Sequence, residues 1–260
     1  MEYILYHKNC NDGFGAAWVA WKALGDQARY VAVQHGDLPP EIPEGSKVTI
    51  VDFAYRRDVL MELVGRMESL RVLDHHKTAA QDLAGLDFVA IDMQKSGAML
   101  AWDHWFPGEA APLLVQYIQD RDLWLFLLKD SPEISAALSS YPMDFQLWNT
   151  LSVDDLARDG IAIKRAINIQ VSDHVERATL RNVAGYSVPV VNATCHLSEI
   201  GDQLNARYPE APFAALYFDR PDGKRQWSLR SRGEFDVSEV AQRSGGGGHR
   251  NAAGYIEAME

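Results

Sequence analysis

The triplet Asp74-His75-His76 presents one carboxylate and two imidazoles at the end of a short apolar run, Leu70-Arg71-Val72-Leu73. Carboxylate oxygens and neutral imidazole nitrogens suit a divalent transition metal, and a second imidazole beside such an ion can meet an anion held there. Taken alone, the triplet fits a solvated loop after a strand just as well. Two other apolar runs end in the same manner, however. Tyr3-Ile4-Leu5-Tyr6 leads into His7, Cys10 and Asp12, and Val48-Thr49-Ile50-Val51 leads into Asp52. In an open parallel sheet the carboxyl ends of the strands share one edge, and ligands bind along it. Three such strands would bring together His7, Cys10, Asp12, Asp52, Asp74, His75 and His76.

The elements needed to position these residues are legible in the periodicity. Residues 12–24 read as a helix whose Gly13 and Gly15 let the first turn approach the neighbouring loop. Strand patterns cover 28–33 and 88–91, and helical patterns cover 57–66, 98–105 and 111–118. Strands alternating with helices predict an α/β fold built on a doubly wound parallel sheet. The helix over 111–118 delivers Asp120 and Asp122, which either extend the cluster of donors or form an exposed helix end. From 151 to 181 the chain reads as a long helix of mixed charge, with Leu156, Ile161, Ile163, Ile167 and Val171 irregularly spaced. That pattern predicts a connection belonging to neither core. Beyond it, strands at 187–192, 213–218 and 226–231 and helices at 199–208 and 237–243 predict a smaller mixed α/β unit. Asp222-Gly223 favours a tight hairpin. The expected organisation is a catalytic domain over 1–150, a helical connector over 151–184 and a second domain over 185–260.

Near the C-terminus stands Gly245-Gly246-Gly247-Gly248-His249. Consecutive glycines usually make a flexible linker, but few residues follow, and no third domain is expected there. The alternative is an anion pocket, because glycines let backbone N–H groups come close to a ligand. Arg230 and Arg232 would add fixed cations to it.

A formal net charge of −11 over 260 residues excludes a general duplex-DNA binder, which needs a basic face. No apolar run is long enough for a membrane span, and no signal segment is recognisable. Two cysteines make no disulfide framework, so a cytoplasmic location is expected.

Asp74-His75-His76, together with Gly245 to His249 and the following Asn251-Ala252-Ala253-Gly254, resembles the DHH phosphoesterase superfamily, in the branch with a C-terminal DHHA1 domain. The resemblance spans nearly the whole chain. It implies hydrolysis of phosphodiester or phosphoanhydride bonds by two divalent metal ions, usually Mn2+, with Mg2+, Co2+, Fe2+ or Zn2+ as alternatives. It also implies attack by a hydroxide shared between the ions, in a cleft between the domains. Carried over by position, Asp12, Asp52 and His75 match metal ligands, Asp52 being the bridging one. His76 matches the imidazole facing the phosphate, and Asp74 supports that loop. The fourth-motif acid is Asp120 or Asp122, with the neighbouring Leu123-Trp124 favouring Asp122. Arg230, Gly247, Gly248 and His249 match the pocket that grips the far end of the substrate. The first motif departs from the family, with Cys10 in the place of an acid and His7 out of the commonest register. A thiolate there would be a softer ligand.

The leading expectation is a phosphodiesterase for short single-stranded oligonucleotides or small nucleotide phosphates. A pyrophosphatase or exopolyphosphatase is a second expectation, and a non-enzymatic nucleotide sensor is a third. A homodimer is left open.

Overall fold

Three apolar strands, each buried on both faces, form the centre of the first unit. The structure, a computed structural model, describes residues 1–34 and 36–259. The chain divides into two compact units, Met1–Lys164 and Arg165–Glu260. In the first, β1 (Glu2–His7), β2 (Ala28–Val33), β3 (Lys47–Val51), β4 (Ser69–Asp74) and β5 (Val89–Ile91) form a parallel sheet. Its order is β2-β1-β3-β4-β5. The helices are α1 (Asn11–Leu24), α2 (Arg57–Arg66), α3 (Lys77–Asp82), α4 (Gly97–Trp105), α5 (Leu113–Asp122), α6 (Ser131–Leu138) and α7 (Phe145–Trp148).

Alternation along the strands sorts their side chains between two cores. Ile4, Val51 and Leu73 face the core that holds α1, α4, α5 and α6. Tyr3, Leu5, Ile50 and Val72 face the core that holds Leu60 and Leu63 of α2. Tyr6 pairs with Val51, Val51 with Leu73, and Asp74 with Ile91. The carboxyl ends of β1, β3 and β4 are therefore level. The winding also reverses between β1 and β3, the place where such sheets bind ligands.

Helix α8 (Val153–Glu176) is shorter than its sequence pattern predicts, and it serves the cores rather than merely joining them. Leu156 is buried in the first core, while Val171 and Val175 are buried in a core of the second unit. The spacing looks irregular only while Ile161, which is exposed, is counted. With Gly160 and Val175 included, Leu156, Gly160, Ile163, Ile167, Val171 and Val175 make one stripe at steps of three and four. The end of the expected helix, from Thr179, instead belongs to strand β6 (Thr179–Val183). It pairs antiparallel with β7 (Tyr186–Asn192), Val183 opposite Tyr186. The two-residue loop Ala184-Gly185 has positive φ at both positions, as a tight hairpin of this kind requires.

The second unit adds α9 (Leu197–Arg207), β8 (Ala214–Asp219), β9 (Lys224–Arg230), α10 (Val237–Gln242), β10 (Gly247–Gly248) and β11 (Ala252–Ala258). Its six strands run in the order β10-β11-β9-β8-β7-β6, with β7 and β8 parallel and the other pairs antiparallel. Ile200 and Leu204 of α9 cover one face of this sheet, and Val237, Val240 and Ala241 of α10 cover the other. Asp222-Gly223 lies in the β8–β9 hairpin as expected.

Two glycines within helices should respond oppositely to alanine. A Cβ on Gly65 of α2 would meet nothing within 4 Å, whereas one on Gly160 of α8 would lie 2.0 Å from the Glu133 carbonyl oxygen. Gly65→Ala should raise stability by about 0.5–1 kcal/mol through helix propensity. Gly160→Ala should lower it by roughly 1–3 kcal/mol, because α8 must move away from α6. Urea denaturation of the two variants beside the parent protein checks both signs.

Candidate metal centre

His75 sits where three carboxylates converge. Its Nε2 lies 3.0 Å from Asp52 Oδ1 and 3.6 Å from both Asp12 Oδ2 and Asp122 Oδ2. Asp12, Asp52 and His75 are each at most 2 % exposed. The register of the sheet brings β1, β3 and β4 together here, and α5 supplies Asp122. Possible ligand atoms of Asp12, His75 and Asp122 lie within 4.8 Å of one another, as do those of His7, Cys10 and Asp52. The same holds for Asp52, Asp74, His75 and His76.

Asp120 does not join them. Residues two apart on a helix point to different faces, and the Asp120 carboxylate accepts the backbone N–H groups of Leu127 at 2.8 Å and Leu128 at 3.3 Å. It organises the loop after α5, while Asp122 turns to the cluster.

Asp52 follows β3 with φ 61°, a left-handed conformation that a residue with a side chain seldom adopts. Two glycines make room for it. A Cβ on Gly97 would lie 2.5 Å from the Asp52 Cβ, and one on Gly13 would lie 2.3 Å from the His7 carbonyl oxygen and 3.0 Å from Asp52 Oδ2. Gly97 has a second task, since its N–H and that of Ala98 donate to the Asp12 carboxylate at 2.5 and 2.8 Å. Gly97 is a site residue that the motifs of the sequence do not single out. The available signal is Ser96, which caps α4 by accepting the Met99 N–H and so places Gly97 at the start of that helix.

Asp74 shapes the next layer. Its Oδ1 accepts the His75 N–H at 2.7 Å and lies 2.7 Å from His76 Nδ1. This arrangement fixes the loop and orients the second imidazole.

The charges are strongly interdependent. Burial, then the neighbouring Asp52 and Asp122, push the Asp12 carboxyl well above its usual range. Burial raises Asp122 too. Burial also opposes ionisation of Asp52, but the close approach of His7 and His75 outweighs it and holds this carboxyl low. For His75 burial disfavours the cation, yet Asp52, Asp12 and Asp122 push its pKa up to about 10. Burial and the charges of Asp52, Asp122 and Asp12 raise the Cys10 thiol well above its ordinary value.

The donor set fits divalent ions. Carboxylates and imidazoles surround a small volume, and Asp52 Oδ2 is buried without accepting a hydrogen bond, its nearest basic neighbour being His7 Nδ1 at 3.5 Å. His7, Cys10, Asp12, Asp52, His75 and Asp122 are the residues that could hold such ions.

The expected substrate residues lie in the second unit. The Arg230 side chain runs over Gly201 of α9, where a Cβ would come within 2.6 Å of it. Its guanidinium donates to Ser198 Oγ at 3.2 and 3.3 Å. Arg232 is instead drawn to Asp202 at 2.7 Å. Gly247 and Gly248 form β10, paired with Gly254 and Ala253. The glycine run is packed backbone, since a Cβ on Gly246 would fall 2.0 Å from the Gly254 carbonyl oxygen. His249 opens the turn to β11, its N–H bonded to the Ala252 carbonyl. Ala252 is itself opposite Arg230, so this turn and the Arg230 end of β9 are neighbours.

Comparison with known proteins agrees with this architecture. Residues 192–256 match the family model described as the DHHA1 domain. The uncharacterized protein R106 of Acanthamoeba polyphaga mimivirus is 30% identical over 281 residues, covering 98% of this chain and 67% of the relative. Oligoribonuclease NrnB of Bacillus subtilis (strain 168) is 24% identical over 291 residues, covering 97% of this chain and 72% of the relative. Among solved structures, the pGpG-specific phosphodiesterase PggH from Vibrio cholerae has a TM-score of 0.53 at 14% identity, covering 99% of this chain and 93% of that one. With Asp74-His75-His76 on the edge of a parallel sheet and a matched C-terminal domain, the chain belongs to the DHH phosphoesterase superfamily, in the branch bearing DHHA1, and is a phosphoric ester hydrolase.

Proposed function

We propose that this protein is a metal-dependent phosphodiesterase that hydrolyses short single-stranded oligonucleotides or small nucleotide phosphates. The observation that carries the reading is the ring of Asp12, Asp52 and Asp122 around His75, with a buried Asp52 oxygen that accepts no hydrogen bond. The likeness to an oligoribonuclease over 97% of the chain supports the substrate class. Two ions, Mn2+ by preference for a carboxylate-rich donor set, are part of the proposal. When bound, they would make hydroxide available near neutral pH and offset charge on the nonbridging oxygens.

The residues around them have separable tasks. Asp52 would serve both positions, Asp12, His75 and Asp122 would hold one ion with it, and His7 and Cys10 the other. His76, held by Asp74 through Nδ1, would donate from Nε2 to a nonbridging oxygen. Arg230 and the turn at His249 would hold the remainder of the substrate by charge-assisted hydrogen bonds. A net charge of −11 favours short single strands over duplexes. Both cysteines are free, which supports a cytoplasmic location, and no helix among the described residues is long and apolar enough to cross a membrane. The test is a panel of dinucleotides, longer single strands, cyclic dinucleotides, pyrophosphate and polyphosphate, assayed with Mn2+. Turnover confined to pyrophosphate or polyphosphate would reject the phosphodiesterase reading.

Asp52→Asn should abolish turnover and reduce bound metal without unfolding the chain, as read by metal analysis and circular dichroism. A variant with full metal content and near-normal rate would remove Asp52 from the bridging position. For Cys10, the softness of the donor should show in metal preference. Cys10→Asp should shift selectivity towards Mn2+, and Cys10→Ser should weaken one site, whereas unchanged preference in both would make Cys10 a space-filling residue. Arg230→Ala should leave metal content intact and cost about ten- to a hundredfold in kcat/KM on dinucleotides, the worth of one charge-assisted contact. The loss on a minimal chromogenic phosphodiester should be much smaller.

A further inference from the structure

Beside the carboxylate cluster, the first unit contains a cavity of about 310 Å³. Cys10, Asp12 and Asp122 form part of its wall, so it is continuous with the proposed ligand cluster. We propose that this cavity holds one nucleoside of the substrate, the terminal one, while the phosphate attached to it lies at the cluster. The inference rests on the phosphodiesterase reading and adds a base-binding subsite within the first unit.

Three features of the cavity lead to this ligand. The first is size. About 300 Å³ is the lower end of the range for small-molecule sites, which gives room for one nucleoside and not for two. The residue lodged there is then the end of a chain, and cleavage at the cluster releases one nucleotide. The second is the chemistry of the walls. Tyr117 and Met143 provide apolar surface for a flat ring, backed by the buried Ile118, Ile134 and Leu138, while Asn9, Asn11 and Ser135 bring polar groups to its edges. A flat ring with donors and acceptors around its rim has the complementary pattern. The third is charge. Asp12 and Asp122 disfavour a second phosphate, and Arg121 is the only basic residue among the described lining residues. A neutral base and sugar suit this balance better than an anion.

The walls are also held in place before any ligand arrives. Asn11 Nδ2 donates to Ser139 Oγ at 2.8 Å, and Ser139 Oγ donates to the Ser135 carbonyl at 2.9 Å. This chain ties the start of α1 to the end of α6. On the opposite side, the Arg121 guanidinium lies 4.2 Å from the Trp124 ring centre and 5.8 Å from that of Phe126. Those rings restrict the guanidinium. Fixed walls reduce the ordering cost of binding.

Two substitutions at the lip would fill the cavity from the outside. Ser139 is exposed at the end of α6, and Met143 is 40 % exposed, so neither Ser139→Phe nor Met143→Trp reaches the core; Ser139→Phe also removes the bond from Asn11, which Met143→Trp keeps. The Mn2+-loaded parent protein and both variants would be compared for metal content, thermal midpoint and KM on a dinucleotide. Binding of AMP and of ribose 5-phosphate, which lacks the base, would be measured by calorimetry. The parent should bind AMP about tenfold or more tightly than ribose 5-phosphate. In the variants that preference should vanish and KM should rise about tenfold or more, with metal content unchanged. Equal binding of the two ligands by the parent would overturn the pocket, and so would folded, metal-loaded variants that keep the AMP preference. An absence of dinucleotide turnover in the parent would instead reject the phosphodiesterase reading, and the AMP comparison would still decide the pocket.

Discussion

Mutual repulsion of carboxylates crowded at the carboxyl edge of one sheet and the end of α5 is the constraint on which this structure depends. Two like unit charges about 4 Å apart repel by roughly 4 kcal/mol at an effective dielectric constant near 20. Asp12, Asp52 and Asp122 all approach one His75 nitrogen within 3.6 Å. The imidazole can offset part of that repulsion by carrying a proton, which agrees with its strongly raised pKa. Cations at the same place would offset more. A group of acids this unfavourable when empty makes chemical sense as a site for divalent ions, and poor sense as a structural network.

The fold spends local strain and free amides to keep those acids in position. Asp52 is held in a left-handed conformation, and Gly13 and Gly97 give up their side chains so that it can be. The first N–H groups of α4 are directed at Asp12, where they and the positive end of the helix favour a carboxylate. Asp74 stands just outside the ring and holds the His75 backbone N–H and the His76 imidazole through one oxygen. Each device acts on a different acid, so the cluster is set by several elements of the sheet rather than by one loop.

How much of this can be read from the sequence depends on periodicity. The strand ends are legible because a short apolar run that stops at a charged residue marks a strand buried on both faces, and parallel pairing makes those ends coincide. The choice between Asp120 and Asp122 is not decided by residue type, since both are acids on one helix; it turns on helical phase and on the needs of the loop over 123–128. The stripe along α8 is obscured because Gly160 is buried without being apolar in the usual sense, while Ile161 is apolar and exposed. Strand β6 is hidden because Ala184-Gly185 lacks the Asn or Asp that commonly marks a two-residue hairpin, although Gly185 supplies one of its positive φ angles. Gly97 is hidden for another reason, because its role is defined by the closeness of Asp52, a residue forty-five positions away in the chain.

The replacement of a family acid by Cys10 fits the same electrostatic constraint. A carboxylate at that position would bring a fourth negative charge to a cluster whose three acids already crowd one imidazole. A thiol brings none while it keeps its proton, and burial, then the surrounding carboxylates, favour that state and raise the Cys10 pKa. The empty cluster is therefore less strained with cysteine than with aspartate. A cation at His7, Cys10 and Asp52 would reverse the preference by stabilising the thiolate, so that negative charge would arise there only with a positive charge to meet it. In this chain a cysteine lowers the cost of assembling negative charge at one corner of the cluster, and as a ligand it would be a softer donor whose grip depends on losing a proton.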